Sequence, residues 1–523
     1  MHRLGVACAT VGVGAFLLAQ LDAWPPHEDE TLALFIGREP LGDLFDTVLS
    51  ERGGAPVHFL LTHLVTAVSP SLTGLRLLSA LFAVASIPLV AALVTRLTDR
   101  TTSLVATVLV SASWVTLLHG VYGRMYSLFL FTSVLSFLAL LRATGDNRRS
   151  SWALWGASIL VTIAVHPYGA LVLATQAAYI LARRLRNPIP LRPAAIAFAA
   201  VVIVAIPLWR TDLVLASRFD VGVGAGGKLG GPLRVLEYLR QALGDFTAGW
   251  TGLFAVIALV ALVGLVSLAR ARPLAATLSL SVFAVPIVAL LLARLGNNTI
   301  PQTRHLIFAL PFFAMLVAAG LLRTATRARG HELTVVGLGL SILVAAQVAW
   351  GWQRTPDLYA GESQDRAVAR KAAESWLAVT SKPSDVLFGF EPLYLGAWED
   401  GGPTVRTIVP RADPKLALEA LLEAQKPLGR GVWVLDASDT TSWSKRLEIE
   451  HRSPGEQFDT IAFGPFLIIR TREPTVTAGT FLRDTFQVQR LGSELLILDS
   501  DINSKTARIA LDRLEGRGLG APR

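Results

Sequence analysis

Eleven apolar stretches interrupt the chain between residues 4 and 351. A run of about 20 apolar residues has few foldable destinations other than a helix across a bilayer, because the helix alone satisfies its own backbone polar groups in lipid. The stretches are 4–21, 76–97, 102–119, 125–142, 152–165, 167–182, 193–209, 249–271, 274–294, 304–323 and 333–351. Those at 152–165 and 167–182 are short, so each needs a turn borrowed from its flanks. The reading is a polytopic α-helical membrane protein with about 11 transmembrane helices.

Arginines check the count, because retained Lys and Arg mark loops held in the cytoplasm. With the amino terminus inside, the cytoplasmic gaps hold Arg96 and Arg100; Arg142, Arg148 and Arg149; Arg183, Arg184, Arg186 and Arg192; Arg270 and Arg272; and Arg323, Arg327 and Arg329. The alternate gaps hold His27-Glu28-Asp29-Glu30, Gly123-Arg124-Met125-Tyr126, His166-Pro167-Tyr168, the loop 210–248, and Gln302-Thr303-Arg304-His305. Five polar clusters therefore share one predicted face, with the carboxyl terminus on that side.

The chain is 52% hydrophobic and 17% charged, and its net charge of +9 comes largely from these arginines. That charge reads as topology and contact with anionic membrane lipids, not as nucleic-acid binding. The single cysteine, Cys8, excludes an internal disulfide and a cysteine-based metal site. Leu21-Asp22-Ala23-Trp24 is a poor small-x-small cleavage site, so the first stretch is expected to stay as an anchor. Within the first outer loop, 22–75, the apolar piece Pro56 to Val68 is too short to cross and reads as an interfacial or re-entrant helix.

At about residue 354 the composition changes to that of a soluble α/β domain, spanning 354–512 and predicted to be extracytoplasmic. Its β-rich runs are 386–390, 405–409, 432–435, 461–469 and 495–498, with helical patterns at 364–380 and 413–425. Residues 513–523 read as a disordered tail.

Asp29 and Glu30 are where chemistry is expected to begin. Adjacent carboxylates beside a membrane span are costly unless they face water or a partner, and one could serve as a general base on a hydroxyl; a solvated acidic loop is the plainer alternative. Arg124 with Tyr126, and Arg304 with His305, open two later spans. A guanidinium there suits a phosphate, since it stays charged and binds oxygens in a fork, although each arginine alone also fits interfacial snorkelling. His166 and Tyr168 flank Pro167, a residue suited to a helix start. Gly222 to Lys228 has phosphate-loop spacing, but Leu229 replaces the Ser/Thr that would hold magnesium and no strand precedes it. Lys228 or Arg234 could touch substrate from that loop, and Asn297-Asn298-Thr299 fits a glycosylation acceptor.

Together, Asp29-Glu30, Ala55-Pro56-Val57-His58-Phe59-Leu60-Leu61, Leu75-Arg76-Leu77-Leu78-Ser79-Ala80-Leu81-Phe82 and Tyr122-Gly123-Arg124-Met125-Tyr126-Ser127-Leu128 resemble the GT-C glycosyltransferases of the protein O-mannosyltransferase and aminoarabinose transferase type. His166-Pro167-Tyr168-Gly169 and Arg304-His305-Leu306-Ile307-Phe308-Ala309-Leu310-Pro311 continue the likeness over roughly 1–350. The resemblance implies a GT-C-like membrane domain over 1–353, a polyprenyl-phosphate sugar donor, inverting transfer on the extracytoplasmic face of a bacterial inner membrane, and Asp29 as base supported by Glu30. Arg124 and Arg304 would then stabilise the leaving phosphate, with Tyr126, His166, Tyr168 and His305 orienting phosphate or sugar. No cofactor is required; a divalent ion could sit beside Asp29 and Glu30, but the arginines make it unnecessary. The family's usual proline pair is here Ala55-Pro56, and its tyrosines are replaced by His58 and Phe59, which leaves a lipid, glycan or protein acceptor open. A lipid-linked sugar transporter or flippase, or a non-catalytic envelope assembly protein, are the competing functions. A transporter should carry inverted repeats and midplane binding groups, and neither is visible here.

Overall fold

A computed structural model describes residues 2–186, 191–219, 244–248, 251–295, 303–389, 392–399, 407–410, 428–436 and 457–496. Every one of the eleven stretches is helical where described. They correspond to α1 (His2–Gln20), α5 (Leu72–Leu97), α6 and α7 (Arg100–Ala112, Trp114–Val121), α8 (Tyr126–Asp146), α9 (Arg149–Val165), α10 (Gly169–Arg186), α11 and α12 (Leu191–Val204, Ile206–Phe219), α13 (Thr251–Ala271), α14 (Pro273–Leu295), a 3-10 turn Thr303–Ala309 leading into α15 (Leu310–Ala325), and α16 (Glu332–Arg354). Among the described residues, six helices are long and apolar enough to cross a membrane, or up to eight if each bent pair is one span. The expected eleven is thus larger than this measure gives. The difference lies in α9, which has 17 residues, in α10, which ends on Arg183, Arg184 and Arg186, and in α14.

The bent pairs turn by 52° between α6 and α7 and by 51° between α11 and α12. The first bend, at Ser113, separates the eight-residue α7 and its His119 from the helix below. Between α1 and α5 the chain stays at one end of the bundle as α2 (Glu28–Arg38), α3 (Leu41–Asp46), a π-helical turn Thr47–Arg52 and α4 (Pro56–Val68). At 13 residues α4 packs against α2 and does not cross. It follows three left-handed residues, Gly53, Gly54 and Ala55; the backbone of Thr211 and Leu215 would meet a Cβ on Gly53, so glycine there answers both φ and space.

Helices pack by close backbone approach where side chains are small, as expected where water provides no drive between helices. A Cβ on Gly264 of α13 would lie 1.9 Å from the Leu316 carbonyl oxygen of α15, and one on Gly320 of α15 would lie 1.9 Å from that of Val260. The two helices therefore touch through their main chains, which seats α15 and its leading 3-10 turn deep in the bundle.

After α16, α17 (Asp357–Ala360) and α18 (Gln364–Thr380) lead into a five-stranded sheet of β1 (Val386–Gly389), β2 (Thr407–Pro410), β3 (Gly431–Asp436), β4 (Phe458–Phe463) and β5 (Phe466–Thr471), with α19 (Pro392–Glu399) after β1 and α20 (Ala478–Leu496) last. Strand order is β2-β1-β3-β5-β4; β1 is parallel to β2 and β3, and β5 is antiparallel to β3 and β4. Val432 and Val434 pack with Leu377 of α18 on one face, while Trp433 stacks on Phe481 of α20 at 5.0 Å on the other. The single run expected at 461–469 is a hairpin, because Gly464 takes φ +51° and reverses the chain. Leu495 and Leu496, expected in a strand, end α20 instead, where Phe481, Leu482 and Val488 recur at helical spacing and are buried. The helical pattern at 413–425, the glycine-rich 222–228 with Lys228 and Arg234, Asn297–Thr299 and the tail 513–523 lie outside the described residues. The carboxyl-terminal part meets the membrane part at the end carrying α2, where Glu362 N–H donates to the Ala23 carbonyl at 2.8 Å.

Replacing Gly320 by Leu should force α13 and α15 apart and cost about 1–3 kcal/mol of stability. Gly337, which has nothing within 4 Å of its Cβ position, should accept the same change with little effect. Thermal unfolding of the two variants in detergent checks the contrast.

Candidate active site

The acidic string expected as a loop is the first turn of α2. His27 caps it: its Nδ1 accepts from Asp29 N–H at 3.1 Å, while the Glu30 carboxylate accepts from His27 N–H at 3.2 Å, a reciprocal capping box. Negative charge in a first helical turn also meets the positive end of the helix dipole.

Glu30 is fully buried and held on all sides. Arg76, an arginine inside the apolar α5, donates Nε to Oε1 at 2.9 Å and Nη2 to Oε2 at 2.8 Å, and its remaining donors reach the carbonyls of Leu21, Trp24 and Pro25. Gly123 N–H adds a fourth donor to Glu30, after His27 N–H and the two from Arg76, at 2.7 Å. A Cβ on Gly123 would meet Leu75 at 2.9 Å and the Glu30 oxygen at 3.1 Å, so glycine lets that loop close on the carboxylate. Glu30 thus fixes the loops around Asp29. Both of its oxygens are engaged within the protein.

Asp29, one residue earlier, faces the other way. Its Oδ2 accepts from the Tyr122 hydroxyl at 2.8 Å and lies 4.0 Å from Arg304 Nη1, while Arg124 Nη1 donates to the Asp29 main-chain carbonyl at 3.0 Å. Burial alone would raise the Asp29 pKa. Arg124, His27, Arg304 and the Tyr122 hydrogen bond outweigh it and hold the carboxyl well below the usual carboxylate range. Burial and the neighbouring Asp29 push the Tyr122 phenol up, so it stays a donor. Burial lowers Arg124, but Asp29 reverses that and keeps it charged.

Tyr126 is the centre of the remaining cluster. The Arg304 guanidinium stands 5.2 Å from its ring centroid, and the rings of His119, His166 and His305 lie at 4.7, 5.7 and 6.1 Å. Tyr168 stacks on His305 at 4.8 Å. His166 Nδ1 accepts from Tyr168 N–H at 3.1 Å, which leaves Nε2 to carry the ring proton. Burial, then His305 and the two arginines, lower its pKa well below the ordinary histidine value, so the ring is neutral. Nε of Arg124, Nε of Arg304 and Nδ1 of His119 are buried with no hydrogen-bond partner among the described residues.

All eight residues singled out in the sequence, Asp29, Glu30, Arg124, Tyr126, His166, Tyr168, Arg304 and His305, meet in this one region. Tyr122, His27, Arg76 and His119 belong to it as well. Arg76 had a signal, since a charge inside an apolar span implies a buried partner; Tyr122 and His119 look like ordinary span-end residues until α7 bends away from α6.

Among known proteins, residues 53–209 match the profile of the dolichyl-phosphate-mannose-protein mannosyltransferase family. No curated protein sequence matches significantly. The structure is similar to that of ArnT from Cupriavidus metallidurans in the apo state, with TM-score 0.60 and 14% identity over 90% of this chain and 98% of that one. It is similar to the same protein bound to undecaprenyl phosphate at TM-score 0.56 and 14% identity, covering 90% and 97%. The Archaeoglobus fulgidus oligosaccharyltransferase in complex with Zn and sulfate matches at TM-score 0.51 and 13% identity, over 84% of this chain and 69% of that one.

Because both partners of the Arg76–Glu30 pair are buried, Arg76→Met should cost about 3–5 kcal/mol by leaving a carboxylate unpaired. Asp29→Asn, which keeps an acceptor for the Tyr122 hydroxyl and buries no unpaired carboxylate, should cost less than Arg76→Met. Thermal unfolding of the two variants tells the two carboxylates apart. On the arrangement of its helices and the segment that matches, this multi-pass membrane chain has the fold of the GT-C glycosyltransferases.

Proposed function

We propose that the protein transfers a sugar from a polyprenyl-phosphate donor to an acceptor hydroxyl on the extracytoplasmic face of a bacterial inner membrane, with inversion at the anomeric carbon. The carrying observation is one ionised carboxylate, Asp29, between two guanidiniums whose Nε donors have no hydrogen-bond partner among the described residues. The matched family profile and the similarity to ArnT bound to undecaprenyl phosphate support a lipid-phosphate donor.

In this reading the donor's lipid tail stays in the bilayer and its phosphate enters between Arg124 and Arg304. Asp29 takes the proton of the acceptor hydroxyl as that oxygen bonds to the anomeric carbon, and the bond from that carbon to the phosphate oxygen breaks. The leaving lipid phosphate keeps the electron pair, its charge stabilised by the arginines, so no acid and no metal need assist. Tyr126, His166, Tyr168 and His305 supply neutral donors and ring faces for phosphate and sugar. The acceptor is a lipid, glycan or protein hydroxyl. The carboxyl-terminal α/β part, joined at the Asp29 end, would then be extracytoplasmic, with the amino terminus in the cytoplasm.

A carboxylate held so low is a weak base until the donor arrives. Phosphate bound to Arg124 and Arg304 offsets their charge at Asp29 and raises its basicity in the complex. The sign follows: a depressed carboxyl is ionised above its ordinary value of about 3.9 and loses that state only as pH falls through its lower folded value. The acid limb of kcat, which reports the complex, should therefore lie at higher pH than that of kcat/KM, which reports free enzyme. Coincident limbs would count against Asp29 as the base.

The direct test is transfer from a panel of radiolabelled polyprenyl-phosphate sugars by purified protein in lipid. Asp29→Asn should lose at least about 100-fold in transfer while keeping donor binding. Arg124→Gln and Arg304→Gln should weaken donor binding itself. Donor translocation without transfer, unchanged by Asp29→Asn, would establish the transporter instead.

A further inference from the structure

The segment 244–248 reaches the candidate site through a residue the mechanism above does not use. Asp245 lies in a short turn, Gly244–Thr247, and its side chain is 8% exposed. Its Oδ2 accepts from the Thr303 hydroxyl at 2.6 Å, and its Oδ1 accepts from Trp350 Nε1 at 3.3 Å and pairs with Arg354 Nε at 3.5 Å. The next residue continues the anchorage: the Phe246 carbonyl accepts from Gln347 Nε2 at 2.7 Å, and Gln347 Oε1 in turn accepts from Trp114 N–H at 3.4 Å. Arg354 lies over the rings of Trp114 and Trp350, with centroids at 5.5 and 5.9 Å. One buried carboxylate thereby joins the ends of α16 and the 3-10 turn, beside the start of α7.

Thr303 is the first residue of that 3-10 turn and Arg304 is the second. The Arg304 side chain hydrogen-bonds to Tyr122, stacks on Tyr126 and approaches Asp29 at 4.0 Å, while its Nε has no partner among the described residues. It reaches those groups from the point where the main chain of the turn begins, and Asp245 fixes that point through Thr303. We propose that Asp245, acting through the Thr303 hydroxyl, is a positioning residue that aims Arg304 at the donor phosphate. This rests on the reading of Arg304 as a phosphate-binding group.

The test is a double-mutant cycle on the binding of undecaprenyl phosphate to full-length protein in lipid nanodiscs, with thermal unfolding measured alongside. Thr303→Val, which removes the hydroxyl, should weaken binding about tenfold, a loss of the size one hydrogen bond controls. Thr303→Ser, which keeps the hydroxyl, should restore wild-type affinity. Asp245→Asn, which can still accept from Thr303, should fall between wild type and Asp245→Ala. In an Arg304→Gln background Thr303→Val should cost nothing further, because the two changes act on one interaction. An equal loss from Thr303→Val in both backgrounds would overturn the positioning role and leave Asp245 a purely structural plug. If Arg304→Gln alone leaves binding unchanged, the phosphate reading of Arg304 fails, and the proposal with it.

Discussion

The bidentate contact between Arg76 and Glu30 is the constraint on which the candidate site depends. Neither group could be buried alone, since the cost of stripping an unpaired charge of water is several kcal/mol. Paired, they do more than neutralise each other: Arg76 gathers the carbonyls of Leu21, Trp24 and Pro25, and Glu30 gathers the amides of His27 and Gly123. The end of α1, the start of α2, the top of α5 and the loop before α8 are thus tied to one point. Tyr122 and Arg124 flank Gly123, so the residue Glu30 holds by its amide carries on either side a partner of Asp29.

Around Asp29 the charges do not balance, and that imbalance has a direction. Two guanidiniums face one carboxylate, and the three histidine rings nearby bring no compensating negative charge. Arg304 lies over the Tyr126 ring, whose negative face offsets only a part of its charge. Such an arrangement favours the approach of an anion. The same arginines that would attract it also hold Asp29 at low basicity, so in the proposed function binding of the donor and activation of the base would be one event and not two independent features.

Hydropathy made the membrane part legible because each crossing must be a helix, and every stretch marked in the sequence is one where described. The charge alternation between gaps carried the site further, since it placed on one face residues that are distant in sequence yet meet around Tyr126. Local geometry was harder to read. The acidic string looked like a loop because its capping partner is a histidine and not the usual Ser, Thr, Asp or Asn. The strand expected at 461–469 hid a hairpin, for a single Gly464 was its only turn signal besides Pro465. The run at 495–498 was too short for its period to separate strand from helix end. The inward aim of Tyr122 and His119 follows from the bend at Ser113, which nothing in the sequence announces.

Two adjacent carboxylates with opposite tasks follow from being at the start of a helix. Successive residues on an α-helix are turned by about 100° from each other, so Asp29 and Glu30 cannot face the same partners. In an extended loop both could have swung toward water or toward one cation. Fixed in the first turn of α2, Glu30 points into the bundle at Arg76 and Asp29 points toward Tyr122 and Arg304. The buried member sets the helix in place, and the helix then gives the half-buried member a single direction. A shift of the helix start by one residue would place the shorter aspartate against Arg76 and turn Glu28 toward Tyr122 and Arg304; the His27 cap, bonded to both Asp29 and Glu30, opposes that shift.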